Sequence, residues 1–378
     1  MKILLIEFRD LTHPEAGGAE VVLQQVFRRI VAAGHQVDYL CNHHDGAARE
    51  EVRDGIRFLR RGRQPYFNFL VPWVYRRELR QNRYDVIVEG IDKVPFNMPW
   101  FEQRVPVACI VPHLFGTTVF REASKPVAAY VYLLERSIAH AYRHCLFSVL
   151  SDSTKADLTG RGIPAEQVRV IRSGLTQEDY SAPAVKPAGD HPVILYVGRL
   201  KRYKGIELGF EAVRQLRVKH PRIEYAIVGG GDYLPELKRQ VAALGLADNV
   251  SFRGYVAHPE KVALMQQASA LIYTSPKEGW GLSVVEANAC GTPVVASDAP
   301  GLRESVKDGE TGFLVPHGDA TALAQRIDQL LSDPKLYAAF RRNGLAWAHS
   351  FTWERASAET LALLEEARRR GPTLAPVS

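Results

Sequence analysis

Short apolar runs alternate with amphipathic stretches along the chain. Residues 2–6 (KILLI) are apolar enough for a strand buried on both faces, and Val22, Val26 and Ile30 then recur at helical spacing. Further strands are predicted at 84–89, 105–113, 145–153 and 168–171, with Ser153 or a neighbour capping the helix that follows 145–153. In the second half, strands are predicted at 193–198, 249–256, 270–273, 292–297 and 312–315, with helices starting near Gly281 and from Asp319. Strands that alternate with helices call for parallel sheets, hence an α/β fold. Residues 181–192 (SAPAVKPAGDHP) interrupt this order, being rich in proline and alanine without an apolar period. The expected organisation is a Rossmann-like domain over 1–180, a linker over 181–192, a second such domain over 193–350 and a last helix over 351–370. Residues 372–378 are expected to be disordered. Two sheets joined by a linker leave a cleft.

Length agrees with this division, since 378 residues exceed one ordinary domain and fit two of about 180. Hydrophobic content of 46% and charged content of 24% are those of a globular protein. Cys41, Cys109, Cys145 and Cys290 form no C-x-x-C pair, which points away from a zinc site or a disulfide framework and towards a reducing compartment. Glu7 and Arg9 end the first apolar run too early for a secretion signal. No apolar run approaches the roughly 18 residues that span a bilayer, so a cytoplasmic protein, or one peripheral on the inner face of the cell membrane, is expected.

The net charge of +6 points to an anionic partner. No nucleic-acid-binding module accompanies it, and much of the positive charge sits in one segment. Between Arg57 and Arg83 stand eight arginines and one acid, Glu78, interleaved with Phe58, Tyr66, Phe67, Phe69, Leu70, Trp73 and Tyr75. Two readings stay open. The segment is an interface for an anionic membrane surface, with arginines at headgroups and rings at the boundary, or a helix packed by its aromatics with solvated arginines.

The densest candidate chemistry lies at 278–295 (EGWGLSVVEANACGTPVV). Glu278 falls in the loop after the strand at 270–273, at the sheet edge where open α/β folds bind ligands, and Glu286 falls inside the next helix. The helix N-terminus at Gly281 and Leu282 offers unpartnered amides to an anion. Two carboxylates flanking such a site suit the hydroxyls of a sugar. Arg199 and Lys204 follow the strand at 193–198 at a spacing from which two cations close on a diphosphate. A glycine pair, Gly17 and Gly18, follows the first strand, and His113 ends the strand at 105–113. Residues 227–232 (IVGGGD) imitate a dinucleotide loop, but Leu234 replaces the last glycine, and Ser251 and Phe252 stand where a ribose-binding acid belongs. A nicotinamide enzyme is therefore not expected.

These motifs resemble those of the retaining GT-B glycosyltransferases of family 4, the group 1 type. The resemblance implies two facing Rossmann-like domains, nucleotide sugar on the second, acceptor on the first, and a C-terminal helix crossing back. It implies that Glu278 and His113 serve the reacting sugar. Arg199, Lys204, Gly281 and Leu282, with Gly17 and Gly18, would serve the donor diphosphate. Glu286 would hold the ribose hydroxyls and Val256 would meet the base through its backbone. The implied partners are an NDP-sugar donor, UDP- or GDP-linked, and a glycan or lipid-linked acceptor. No D-x-D triplet occurs, so neither a metal nor a cofactor beyond the NDP-sugar co-substrate is expected. Residues 173–176 (SGLT) depart from the family's N-G-V-D type turn. An epimerase or hydrolase acting on nucleotide sugars, or a non-catalytic nucleotide-sugar binder, is the alternative.

Overall fold

A computed structural model describes residues 1–64, 66–92, 94–121, 123–183 and 191–372. The chain forms two compact units, one of Met1–Gly174 with the chain from Trp353 onward, the other of Leu175–Thr352. Of the expected linker, residues 184–190 lie outside the described residues, as do 373–378 of the expected disordered tail. Among the described residues, no helix is long and apolar enough to cross a membrane.

In the first unit the strands are β1 (Lys2–Ile6), β2 (Gln36–Cys41), β3 (Glu50–Arg53), β4 (Ile56–Arg60), β5 (Val86–Gly90), β6 (Val107–Val111), β7 (Leu146–Val149) and β8 (Val168–Val170). They form one sheet in the order β3-β4-β2-β1-β5-β6-β7-β8, parallel except for β3. Ile3, Leu4, Leu5 and Ile6 of β1 are fully buried, as a central strand covered on both faces requires. The β3–β4 hairpin is an addition to the predicted pattern. Its turn is Asp54-Gly55 at φ +53° and +75°, a pair whose left-handed backbone matches the strand twist. Ser151, rather than Ser153, caps the helix Asp152–Gly160 by accepting from the Thr154 amide at 3.2 Å.

The C-terminal helix Trp353–Arg370 packs on the helix Gly18–Ala32 within this same unit. Trp353, Ala356, Thr360, Leu363, Leu364 and Ala367 recur every three or four residues and form its buried stripe. Ion pairs Arg29–Glu354 at 2.9 Å and Arg368–Asp85 at 3.3 Å rim the contact. Being largely exposed they contribute less than about 1 kcal/mol each, so the apolar stripe holds the helix.

The second unit carries β9 (Val193–Val197), β10 (Glu224–Val228), β11 (Val250–Gly254), β12 (Ala270–Tyr273), β13 (Val294–Ser297) and β14 (Gly312–Val315). All are parallel, in the order β11-β10-β9-β12-β13-β14. The order reverses between β9 and β12. The chain continues from β9 to β10 on one side and from β12 to β13 on the other, and such a switch point is where open α/β sheets take ligands. Arg199 and Lys204 follow β9 directly, and Glu278 follows β12.

The glycine run at 229–231 has a packing explanation. A Cβ on Gly229 would fall 1.9 Å from the Gly198 carbonyl oxygen, and one on Gly231 would fall 2.1 Å from that of Leu200. The loops after β9 and β10 therefore cross backbone on backbone, joined by Leu200 N donating to Gly230 O at 2.9 Å. Gly230 has open space around it. Gly229→Ala, also strained at φ +131°, is expected to cost about 2–3 kcal/mol, or roughly 4–12 °C in the melting temperature of this unit, whereas Gly230→Ala should leave it unchanged. Thermal unfolding of the two variants checks this, and equal losses would contradict it.

Candidate active site

Lys204 ends a short 3₁₀ turn, Arg202–Lys204, and Gly205 at φ +63° reverses the chain behind it. A Cβ on Gly205 would lie 2.9 Å from the Thr274 carbonyl oxygen, and Thr274 Oγ1 donates to the carbonyls of Lys204 and Gly205 at 3.1 and 2.8 Å. The turn is thereby fastened to the end of β12. From it the buried Lys204 side chain donates to Glu278 Oε1 and, at 3.4 Å, to the Tyr273 hydroxyl. Burial works against the lysine charge, but the Glu278 carboxylate beside it prevails and holds its pKa above the ordinary lysine range.

Glu278 Oε1 also accepts from Ser275 Oγ at 2.6 Å, and the Glu278 amide donates to Pro300 O at 3.0 Å. Its other oxygen, Oε2, takes no hydrogen bond from the described residues. Tyr273, at the end of β12, stacks on Tyr196 of β9 with centroids 5.5 Å apart. Burial, and after it Glu278, keeps its phenol protonated; Tyr203 and Glu286 act in the same direction, and Arg199 opposes them. Arg199, Lys204, Glu278 and Glu286 thus all act on the end of β12, and Arg199 is the exposed member.

Glu286 is the fifth residue of the helix Leu282–Ala289 and is buried. Its Oε1 accepts from the Tyr180 hydroxyl at 2.5 Å and from Lys261 Nζ at 2.9 Å, and Lys261 also donates to the Tyr180 oxygen at 2.7 Å. Oε2 is again left without a hydrogen bond from the described residues. Burial, then Glu286, pushes the Tyr180 phenol far above its usual range, so it remains a donor. Cys290, one turn on, is raised to about 12 by burial and the same carboxylate. The helix starts at Gly281, whose φ of +86° favours glycine and where a Cβ would meet Ser305 Oγ at 2.9 Å. Among the described residues, the amides of Gly281 and Leu282 make no hydrogen bond. Val256 is half-buried in the loop after β11.

The remaining candidates belong to the first unit. The Gly17 amide donates to Glu20 Oε2 at 2.7 Å, so a carboxylate already occupies that N-terminus, where helix polarity favours it. Gly18 opens the helix with nothing within 4 Å of where its Cβ would fall, which leaves its backbone approachable. His113 is half-buried two residues past β6, edge-on to Phe115 with centroids 5.0 Å apart. Its loop is moored by Glu135, which accepts the amides of Phe115 and Gly116 at 2.7 and 2.8 Å and meets Arg161 at 3.3 Å.

Lys261, Tyr180, Ser275, Tyr273 and Glu135 were not singled out from the sequence. Lys261 sits on a surface-type helix and Tyr180 beside the linker, so neither carries a local signal. A lysine and a tyrosine 81 residues apart become partners only through the fold. Among the described residues, no three His, Cys, Asp or Glu side chains gather as metal ligands would.

Two parallel-sheet Rossmann-like units, with a candidate site at a strand-order reversal and a C-terminal helix returned to the first unit, define the GT-B fold class. Residues 179–347 match the family described as "Glycosyl transferases group 1" and residues 16–178 match "Glycosyltransferase Family 4". Sucrose-phosphate synthase from Thermosynechococcus elongatus superposes with a TM-score of 0.82 at 26% identity, covering 98% of this chain and 99% of that one. Anabaena HepE, solved in complex with UDP-glucose, superposes at 0.77 with 22% identity, over 97% and 100% of the two chains. The Mycolicibacterium smegmatis GDP-mannose-dependent alpha-(1-6)-phosphatidylinositol monomannoside mannosyltransferase is 36% identical over 190 residues, 48% of this chain and 49% of the relative. That match spans about half the length of this curated relative. Together the two matches span residues 16–347, and the chain belongs to the group 1 glycosyltransferases.

One buried acid in the first unit gives a pH test. Glu89, at the end of β5, accepts from the amides of Phe96 and Met98 at 3.0 and 2.9 Å and from the Tyr142 hydroxyl at 2.6 Å. Burial nevertheless raises its pKa to about 7. A raised carboxyl stabilises the fold below its unfolded value near 4.5 and loses that contribution as pH rises through about 7. The stability of Glu89→Gln relative to wild type, followed by thermal unfolding, should therefore move in the variant's favour between pH 5 and pH 8, by at most about 3 kcal/mol. A difference independent of pH would contradict this.

Proposed function

We propose that the enzyme moves a sugar from a UDP- or GDP-linked donor to a hydroxyl of a glycan, glycolipid or small-molecule acceptor, with retention at the anomeric carbon. The observation that carries this reading is the shared design of Glu278 and Glu286. Each has one oxygen tied by a lysine and a hydroxyl and the other left to accept. Two oriented carboxylate oxygens beside a switch point suit a sugar and a ribose, whose hydroxyls are donors in search of acceptors.

In this reading Glu278 orients the donor sugar and stabilises positive charge as the anomeric carbon separates from the diphosphate. His113 positions the sugar hydroxyls. Negative charge gathers on the departing diphosphate, and preorganised donors aimed at such charge are usually the largest catalytic contribution. Arg199, Lys204 and the amides of Gly281 and Leu282 supply them, with no metal invoked. Gly17 and Gly18 contribute the glycine loop, and Gly18 has the freer backbone. Val256 meets the base through its backbone, which does not choose between uracil and guanine. The M. smegmatis relative's GDP-mannose dependence and the UDP-glucose complex of Anabaena HepE support both nucleotides as candidates. Four free, buried cysteines suit work in the reducing cytoplasm.

A thermal-shift panel of UDP- and GDP-sugars should single out one nucleotide, and proton NMR of the product should report the donor's anomeric configuration preserved. An inverted product would refute retention. A nucleoside diphosphate released equally with and without acceptor would favour the hydrolase alternative. Arg199→Ala and Lys204→Ala are each expected to lower turnover at least about tenfold, or 1.4 kcal/mol of transition-state stabilisation, and wild-type turnover would refute the diphosphate assignment.

Lys261 and Tyr180 act in this scheme as positioning residues for Glu286. Lys261→Met with Tyr180→Phe should raise the donor KM about tenfold with turnover nearly unchanged. An unchanged KM would remove them from the scheme.

A further inference from the structure

The basic aromatic segment at 57–83 divides in the structure. Phe58, Phe67 and Tyr75 are buried, and Arg60 is buried against Asp10 at 2.6 Å. Arg61 pairs with Glu50 and Glu78, and Arg63 with Asp45. That part of the segment is buried or ion-paired, so its charge is neutralised. The rest is not. The helix Phe67–Val74 (FNFLVPWV) is apolar at every position but Asn68, which is the composition of a helix buried all round. Yet Phe69 is 64% and Trp73 52% exposed. Across from them the short helix Met98–Phe101 (MPWF) exposes Trp100 by 49%.

Between these helices lies a groove of about 540 Å³, within the size range of ligand pockets. Phe69, Trp73, Trp100 and Phe101 form its apolar walls, and Arg76 and Arg77 line it beside them. No acid lines it. Arg76 lies over the Phe101 ring at 5.7 Å and Arg77 over the Trp73 ring at 5.2 Å, so the rings hold both guanidinium groups beside the groove. Neither arginine forms an ion pair with a carboxylate among the described residues, unlike Arg60, Arg61 and Arg63. An apolar slot lined by unneutralised guanidinium groups matches an amphiphile whose apolar chain carries a phosphate.

We propose that this groove takes the hydrocarbon of an anionic phospholipid at a membrane surface, with the phosphate on Arg76 and Arg77. The site lies wholly within the first unit, so it does not rest on the donor site proposed for the second. Aromatic side chains at the boundary and arginines at the headgroups supply the two attractions that stable peripheral binding needs.

The test is co-sedimentation of the full chain with vesicles of phosphatidylcholine alone and of phosphatidylcholine with an equal part of phosphatidylglycerol. The wild type should bind the mixed vesicles at least about tenfold more tightly than the neutral ones. Trp73→Ala with Trp100→Ala should weaken that binding about tenfold, and Arg76→Glu with Arg77→Glu should abolish the preference for anionic lipid. Both pairs alter exposed side chains, and a nucleotide-sugar thermal shift on each variant verifies the fold. Equal binding to both vesicles, binding to neither, variants that bind like wild type, or a solution dimer dissolved by the tryptophan pair without vesicle binding would each overturn the proposal.

Discussion

The second unit depends on one buried ion pair, Lys204 with Glu278, bridging the loops that leave β9 and β12. Taking two charges out of water is expensive, and the pair is tolerable only because each partner is also hydrogen-bonded, to Tyr273 on one side and Ser275 on the other. Alone, either charge would be far costlier. The pair holds the Glu278 carboxylate in one orientation at the switch point, where water would otherwise let it rotate freely.

Glu286 repeats the arrangement with different parts. Its lysine comes from the helix His258–Gln267 and its hydroxyl from Tyr180, yet the outcome matches Glu278: one oxygen tied, one left to accept. A site with two such acceptors binds groups that donate, and the amides of Gly281 and Leu282, which make no hydrogen bond among the described residues, add a place for anions. Hydroxyls on both sides of a diphosphate are what the proposed nucleotide-sugar donor would present.

In the first unit, buried carboxylates do a different task. Glu89 gathers the amides of Phe96 and Met98, Glu135 those of Phe115 and Gly116, and Glu20 that of Gly17. Loops at a sheet edge have amides with no ladder to join, and a carboxylate accepting two of them satisfies what would otherwise be stranded. The loop after His113 takes its course from Glu135, which lies on a helix 22 residues further along the chain.

The sequence, read alone, carries the α/β class, most strands, the helix starts at Gly281 and Asp319, and the grouping of Arg199, Lys204, Glu278 and Glu286 in one half of the chain. These follow from apolar periodicity and from residue types at strand ends, which are local properties. It did not disclose the Asp54-Gly55 hairpin, although that dipeptide is a turn signal, because β3 is short and polar. Nor did it show that Phe58 and Arg60 are core whereas Trp73 and Arg77 are surface, since alternating aromatics and arginines look alike along a line. That Lys204 pairs with Glu278, that Tyr180 and Lys261 hold Glu286, and that the glycines at 229 and 231 serve backbone crossing emerges only once the chain is folded. Each of these joins residues dozens of positions apart, and such contacts are written in the order of the strands across the sheet, not in the spacing of residues along the chain.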